Sequence, residues 1–472
     1  MFCKDFVFGV ASSSIQVEGT DKNDNRGKSI WETFCEEGRA CGHTTEIACD
    51  HMHRYKEDFA LMKELGIKGY RFSVNWSRLI PNGVGEVNEK AVELYRGMIQ
   101  EMKKNGITPY LTLYHWELPQ ALEDIGGWLN PDIVEYFGEY AKVVAERFSD
   151  LVDKFFTINE PQCIVGLGYV TGVHAPGKKL PKKETFQISL NLMKAHGLAV
   201  KKLRQYALRP IEVGYAPTCT VPIPASFRAE DIEAAREVYF SMNPDSDNWA
   251  WNVAWFSDPV ILGEFPKQGL EAFKEYIPEI TKEDIALIHQ PLDFLGQNIY
   301  NGYYIKADEN KKPVGLPMPV GYTENGVNWP VQEECLYWGA RFAYERYKLP
   351  IYITENGMAC HDVVSLDGLV HDPNRQDFLD RYISALQKAA DEGCDIRGYF
   401  LWSFLDNFEW EKGYHGRFGI VHVDFRTLKR TPKDSAYWYK EVIEQNGANL
   451  YINTKHEENR LCFVLEDRMK EI

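Results

Sequence analysis

The chain has 472 residues, 44% of them hydrophobic, with a formal charge of −16 at pH 7 and a pI near 5.3. That is ample apolar material for a large core, and a surface this acidic argues against nucleic acid or an anionic membrane as partner. Aromatic residues reach 13%, with 12 Trp and 26 Tyr, which suits a core of large side chains or a site with aromatic platforms.

Length alone suggests two or three domains, but barrels of alternating strands and helices run past ~400 residues as one domain. The start, Met1-Phe-Cys-Lys-Asp-Phe6, has no long apolar stretch and leads straight into a first strand. No secretory leader and no membrane span are expected. The ten cysteines form no Cys-x-x-Cys pair, and several fall in apolar segments. They read as reduced and structural, as in a cytoplasm. Cys35, Cys41 and Cys49 with His43, His51 and His53 form a metal-like cluster, but at a spacing that matches no zinc pattern. Asn75-Trp76-Ser77 matches a glycosylation sequon, yet it sits at a strand end and is discounted.

In chain order, strands are expected at residues 6–11, 67–74, 108–114, 154–158, 211–216, 292–297, 351–354 and 398–402. Helical patterns lie between them. In 89–104 the residues Ala91, Leu94, Tyr95, Met98, Ile99 and Met102 recur at helical spacing. Ile133, Val134, Phe137, Ala141, Val144 and Phe148 repeat it, as do Phe378, Leu379, Tyr382, Ile383 and Leu386. These are one-faced helices covering a sheet. Eight strands alternating with helices imply an α/β fold, a single-domain (β/α)8 barrel with long loops, over residues 1–450. An open doubly wound sheet is the other topology, but no Gly-x-Gly-x-x-Gly turn follows the first strand. Residues 38–49, 177–184 and 306–328 read as long loops, and 451–472 as a C-terminal tail with a charged end, 455–472.

In such a barrel the site lies at the C-terminal strand ends. Those ends carry Arg71, His115, Trp116, Asn159, Glu160, Asn298, Tyr300, Glu355 and Trp402. Two are acids. Glu355 follows Pro350-Ile-Tyr-Ile-Thr354, an apolar strand; Glu160 follows Phe155-Phe-Thr-Ile-Asn159 and precedes Pro161. Thr323-Glu-Asn-Gly326 repeats the tetrapeptide Thr354-Glu-Asn-Gly357 but has no strand before it, so Glu324 reads as turn chemistry. Two carboxylates facing one cleft equip a protein to cleave glycosidic bonds. One acid protonates the leaving oxygen, and the other attacks or activates water. Arg71 beside one carboxylate would keep it ionised, while the other would need a raised pKa. Spacing in the sequence leaves open whether they stand ~5 Å apart (retaining) or ~6.5–9.5 Å apart (inverting).

The motifs resemble those of glycoside hydrolase family 1, the β-glucosidase type. They are Phe6-Val-Phe-Gly-Val10, Ser14-Ile-Gln-Val-Glu-Gly19, Tyr70-Arg-Phe-Ser73, Tyr114-His-Trp-Glu-Leu-Pro119, Thr157-Ile-Asn-Glu-Pro161, His174-Ala-Pro-Gly177, Ile353-Thr-Glu-Asn-Gly357, Leu401-Trp-Ser-Phe-Leu-Asp-Asn-Phe-Glu-Trp410 and Gly416-Arg-Phe-Gly419. The resemblance runs from Phe6 to about Glu444. It implies a retaining β-glucosidase, with Glu355 as nucleophile and Glu160 as acid and then base. It implies that Arg71 and Tyr300 orient Glu355 and that Asn159 meets the sugar 2-hydroxyl. Gln16, His115, Glu409 and Trp410 would hold the other hydroxyls, with Trp402 as the apolar floor and Trp329 facing the leaving group. Asn298 and Phe418 would join the substrate-binding set. It implies no metal and no organic cofactor, and a β-glucoside as partner. A homo-oligomer stays open.

Three details bear on substrate. Glu409-Trp410 resembles members that accept unmodified glucosides, since a carboxylate there would repel a 6-phosphate. Glu160 stands where thioglucoside-cleaving relatives carry Gln. Strand six reads Gly296-Gln-Asn-Ile-Tyr300, where the family usually shows Asn-Tyr-Tyr, and His115-Trp-Glu replaces the commoner His-Trp-Asp. Side activity on β-galactosides or β-fucosides is expected. A 6-phospho-β-glucosidase and an inactive sugar-binding relative are the alternatives.

Overall fold

The computed structural model describes residues 2–21 and 24–454. Eight parallel strands close into a barrel: β1 (Val7–Ala11), β2 (Gly69–Ser73), β3 (Thr108–Tyr114), β4 (Lys154–Asn159), β5 (Glu212–Ala216), β6 (Phe294–Asn298), β7 (Ile351–Asn356) and β8 (Ile396–Trp402). Each pairs with its neighbour in sequence, and β8 closes on β1 with Val7 opposite Gly398 and Ala11 opposite Trp402. This is the expected fold. The helices Glu89–Lys104 and Ile133–Phe148 fall where the periodicity puts them, and Pro373–Asp391 carries the third pattern.

The barrel interior is solid. Tyr110, Phe156, Phe294, Tyr352 and Phe400 meet there edge to face, with ring centroids 4.7 Å apart for Tyr110 and Phe400 and 5.0 Å apart for Phe156 and Phe294. Small residues make the room: a Cβ at Gly9 would lie 2.6 Å from the Phe400 ring, and one at Gly214 would run into Phe294. This aromatic layer supports the floor of whatever sits above it.

Two strand ends are irregular. β7 shifts register against both neighbours between Ile353 and Glu355 or Asn356, and β4 shifts against β5 between Phe156 and Asn159. Such bulges re-aim a side chain at the end of a strand. β7 therefore runs two residues beyond the expected 351–354, and Glu355 is part of the strand.

The region read as one loop, 306–328, is partly ordered into a sheet. Gly302–Ala307 pairs with Val221–Pro224 and with Pro313–Gly315. The loop read at 177–184 ends early, because the helix Lys182–Tyr206 has already begun. The first residues of the tail, Tyr451–Thr454, form a short helix; the Tyr451 N–H donates to Asp380 Oδ1 at 2.7 Å, and Asn453 bonds Gln387. Residues 455–472 lie outside the described residues.

The sequon is structural: Asn75 is buried, and its side chain caps the helix Trp76–Leu79 by accepting from the Arg78 N–H. The cysteine–histidine cluster is dispersed in role. Cys35 and Cys49 are buried, His51 bonds Asp58 at 2.8 Å, and His53 bonds Asp50 at 2.5 Å. No group of three or more His, Cys, Asp or Glu side chains among the described residues could hold a metal ion.

Candidate active site

The C-terminal ends of the strands surround a cavity of about 620 Å³ that holds both Glu160 and Glu355, within the range of small-molecule sites. A second cavity, of about 760 Å³, lies among Tyr304, Phe378 and Arg381. It contains neither acid, so the chemistry points to the first.

Glu355 is held at both oxygens. Arg71 on β2 donates from Nη1 to Oε1 at 2.6 Å, and the Tyr300 hydroxyl donates to Oε2 at 2.8 Å. The Arg71 fork is fully used on this side: Nη2 donates to Asn159 Oδ1 at 2.6 Å. Its guanidinium lies 5.1 Å from the Phe156 ring centroid, so the barrel's aromatic interior sets its height. Burial pushes the Glu355 carboxyl up from its ordinary value, while Arg71, Tyr300 and Asn298 pull it back.

Glu160 has no such cation contact. Asn298 Nδ2 donates to its Oε1 at 2.6 Å, and the Cys163 thiol donates to its Oε2 at 2.9 Å. Burial, and then the charge of Glu355, push its pKa up to about 8. Burial raises both acids, but only Glu355 has a guanidinium and a phenol hydroxyl bonded to it in opposition, the contrast that favours the charge on Glu355 and the proton on Glu160. Glu160 itself has φ +45°, in the left-handed region. Its N–H is tied to the Ala216 carbonyl at 2.7 Å, and Pro161 opens the helix Pro161–Val165 that follows. Trp116 and Trp410, also in the cavity wall, have φ +83° and +51°. Strained backbone held in place by its surroundings gathers at functional sites.

Asn159 and Asn298 join the acids. Asn298 Nδ2 also donates to Asn159 Oδ1 at 3.0 Å, and Thr354 Oγ1 fixes Asn298 by donating to its Oδ1 at 2.6 Å. Asn159 Nδ2 lies 3.1 Å from His115 Nε2. Burial and Arg71 hold His115 well below its ordinary pKa, so the ring is neutral; Nε2 accepts from Asn159 and the proton sits on Nδ1. His115 stacks between Trp402 and Trp410, with centroids 5.8 Å from each. Trp329 packs on Tyr300 and Phe418 at 5.2 and 5.9 Å, forming the opposite wall.

Of the candidates from the sequence, His115, Glu160, Tyr300, Trp329, Glu355, Trp402, Glu409, Trp410 and Phe418 line the cavity. Arg71, Asn159, Asn298 and Gln16 are fully buried behind its wall. Gln16 is committed to protein: Nε2 donates to the Phe408 carbonyl at 2.7 Å, and Oε1 accepts from Ser13 Oγ at 2.6 Å. It ties the loop that carries Glu409. Burial, then the charge of Glu411, raise Glu409 well above the usual carboxylate range.

Glu324 is turn chemistry, as its sequence context suggests. It is exposed and bonded to Tyr322 at 2.7 Å, while Asn325 Oδ1 accepts from the N–H groups of Val327 and Trp329. That turn delivers Trp329 to the cavity. Ile299, in the place of the usual tyrosine, is buried; its N–H donates to the Glu355 carbonyl at 3.0 Å and its carbonyl accepts from Asn356 Nδ2 at 2.8 Å. Sequence reasoning missed Cys163, Trp251 and the His174–Glu411 pair, whose side chains meet at 2.8 Å in the cavity wall. His174 was in view only as the head of the motif His174-Ala-Pro-Gly177, and Cys163 left a signal in standing three residues past Glu160 in a segment opened by proline.

The profile of glycosyl hydrolase family 1 matches residues 1–448. The β-glucosidase A of Thermotoga maritima is 41% identical over 454 residues, covering 94% of this chain and 98% of that protein. The β-glucosidase A of Acetivibrio thermocellus is 41% identical over 94% of this chain and 99% of its own length. The solved structure of the Thermotoga maritima β-glucosidase in complex with glucoimidazole superposes with a TM-score of 0.86 at 41% identity, covering 94% of this chain and 99% of that one. With that likeness spanning barrel and site alike, the chain belongs to glycosyl hydrolase family 1.

Proposed function

We propose that the protein is a retaining β-glucosidase that removes terminal β-D-glucosyl residues by double displacement through Glu355 and Glu160. The observation that carries the residue assignment is the contrast between the acids: Glu355 is clamped by Arg71 and Tyr300, whereas Glu160 in the same cavity is held by an amide and a thiol, and burial pushes its carboxyl up.

In the first step a Glu355 oxygen attacks C1 of the glucosyl unit. The bond from C1 to the leaving oxygen breaks, and Glu160 gives that oxygen its proton. Arg71 keeps the attacking carboxylate charged, and Tyr300 orients it. In the second step Glu160, now a carboxylate, takes a proton from water. The water oxygen attacks C1 and the ester to Glu355 breaks. Two inversions leave the anomeric configuration unchanged. In this reading Asn159, fixed by Arg71, Asn298 and His115, meets the 2-hydroxyl, where a bond that tightens in the transition state is most useful. Trp402 supplies the floor, His115 and Trp410 flank it, and Trp329 with Phe418 faces the leaving group. Glu409, held by the loop that Gln16 ties down, favours a free 6-hydroxyl over a 6-phosphate.

Hydrolysis of 4-nitrophenyl β-glucoside that disappears in Glu355→Gln, with a 2-deoxy-2-fluoroglucoside attaching at Glu355, is the expected result. Full turnover in that variant, or attachment elsewhere, refutes the assignment. Faster hydrolysis of the 6-phosphate than of the plain glucoside favours the phospho-glycosidase reading. We further propose activity on β-galactosides and β-fucosides, and a cytoplasmic location, which the free thiols of all described cysteines support. No helix among the described residues is long and apolar enough to cross a membrane.

A further inference from the structure

Glu160 must first give a proton and then take one, and one side chain that touches it has no part in the steps above. Cys163 lies three residues on, in the one-turn helix Pro161–Val165, so its side chain stands on the face below Glu160. Its thiol donates to Glu160 Oε2 at 2.9 Å, while Asn298 donates to Oε1 at 2.6 Å. The carboxyl is therefore held from its own loop on one side and from β6 on the other. Cys163 lines the cavity but is only 5% exposed, and it is in no disulfide.

We propose that Cys163 is a positioning residue for the reaction: its thiol fixes the Glu160 carboxyl in its donating orientation and weakens its grip on the proton. A thiol is a weak donor, which suits a group that must be an acid in one step and a base in the next. A hydroxyl in its place would hold Glu160 ionised more firmly and starve the first step. A methyl group would leave burial opposed by Asn298 and Arg71 without the thiol. The thiol does not compete for the chemistry, because burial and then the charges of Glu160, Glu355 and Glu411 push its own pKa well above the usual value. The other charged or titratable groups facing Glu160 are Glu355, Arg71, Tyr300 and Glu409. None of them is itself altered by a substitution at residue 163.

The inference rests on Glu160 being the acid and base, and the test separates the two. The pH dependence of kcat/KM for 4-nitrophenyl β-glucoside is measured in the parent, Cys163→Ala, Cys163→Ser and Glu160→Gln. The alkaline limb is expected to move up by about half a unit to one unit in Cys163→Ala, the scale of one ordinary net hydrogen bond, as suits a donor as weak as a thiol. It is expected to move down in Cys163→Ser, where a stronger donor takes the thiol's place. A merely structural role changes kcat without moving either limb, so limbs that coincide with the parent overturn the proposal. If Cys163→Ala does not fold, the serine variant decides, by the direction of its shift. An alkaline limb that survives in Glu160→Gln overturns the assignment of Glu160 itself. If the limb vanishes there but stays put in both Cys163 variants, the thiol's role alone is refuted.

Discussion

Tyr300→Phe removes one oxygen and little else. The Tyr300 ring packs edge-on against Trp329 and Phe418, with centroids 5.2 and 6.1 Å away, and phenylalanine keeps both contacts. What goes is the hydroxyl that donates to Glu355 Oε2 at 2.8 Å. A hydrogen bond to a charged group contributes ~1.5–3 kcal/mol, and one pKa unit corresponds to about 1.36 kcal/mol. The ionised form of Glu355 therefore loses roughly one to two units of support. The donor stabilises the charged form, so its loss raises the Glu355 pKa and adds to the upward push of burial. Turnover needs Glu355 ionised in the free enzyme, so the acidic limb of kcat/KM moves to higher pH by roughly one to two units and the bell narrows from that side. Assay of 4-nitrophenyl β-glucoside from about pH 4 to about pH 10 reads this directly. An acidic limb that stays in place while kcat falls would show that the hydroxyl only positions Glu355, and the account of how the acid stays charged would fail.

Glu160→Gln should lose roughly 10²–10⁴ in turnover of alkyl glucosides, whose leaving oxygen needs a proton. With a 2,4-dinitrophenyl glucoside its first step should survive and the glycosyl-enzyme accumulate, visible by mass spectrometry; equal losses on both substrates contradict the role. Glu117→Gln tests a buried acid outside the cavity. Burial raises the Glu117 pKa from 4.5 to about 8, and neither oxygen has a side-chain partner. The folded protein binds this proton more tightly than the unfolded chain, so the stability it contributes is complete below about pH 4.5 and drains away as pH rises to about 8. Glu117→Gln removes that drain: its melting temperature should gain on the parent between those values, and a constant gap refutes the reading.

Much of this was legible in the chain because it depends on local pattern. Alternating strands and one-faced helices give the barrel, and apolar runs ending in Asn159-Glu160 or Thr354-Glu355 mark the carboxylates. The strand ends shifted where tertiary contacts overrode pattern, as in β7, whose bulge carries the strand through Asn356. The sheet of Gly302–Ala307 with Val221–Pro224 was invisible because its pairing joins segments some eighty residues apart, and the polar residues after it read as loop. Gln16 was expected at a hydroxyl. The structure shows its amide bonded to Phe408 and Ser13, contacts that only the closed structure reveals. The Cys163 contact needed the left-handed turn at Glu160, and no composition or period encodes that turn.

What separates the two acids is also tertiary. Both are buried, and both sit at bulged strand ends. The difference lies in the Arg71 guanidinium and the Tyr300 hydroxyl, which are bonded to Glu355 and not to Glu160. Arg71 comes from β2 and Glu355 from β7, strands that meet across the barrel only because β8 closes on β1. Its height above the floor is set by Phe156, and Phe156 is set in turn by Phe294, which fits because β5 has Gly214 beneath it. The charge proposed for Glu355 thus rests on a column of aromatic packing inside the barrel. A residue as remote from the chemistry as Gly214 belongs to the same physical chain as the carboxylate it never touches.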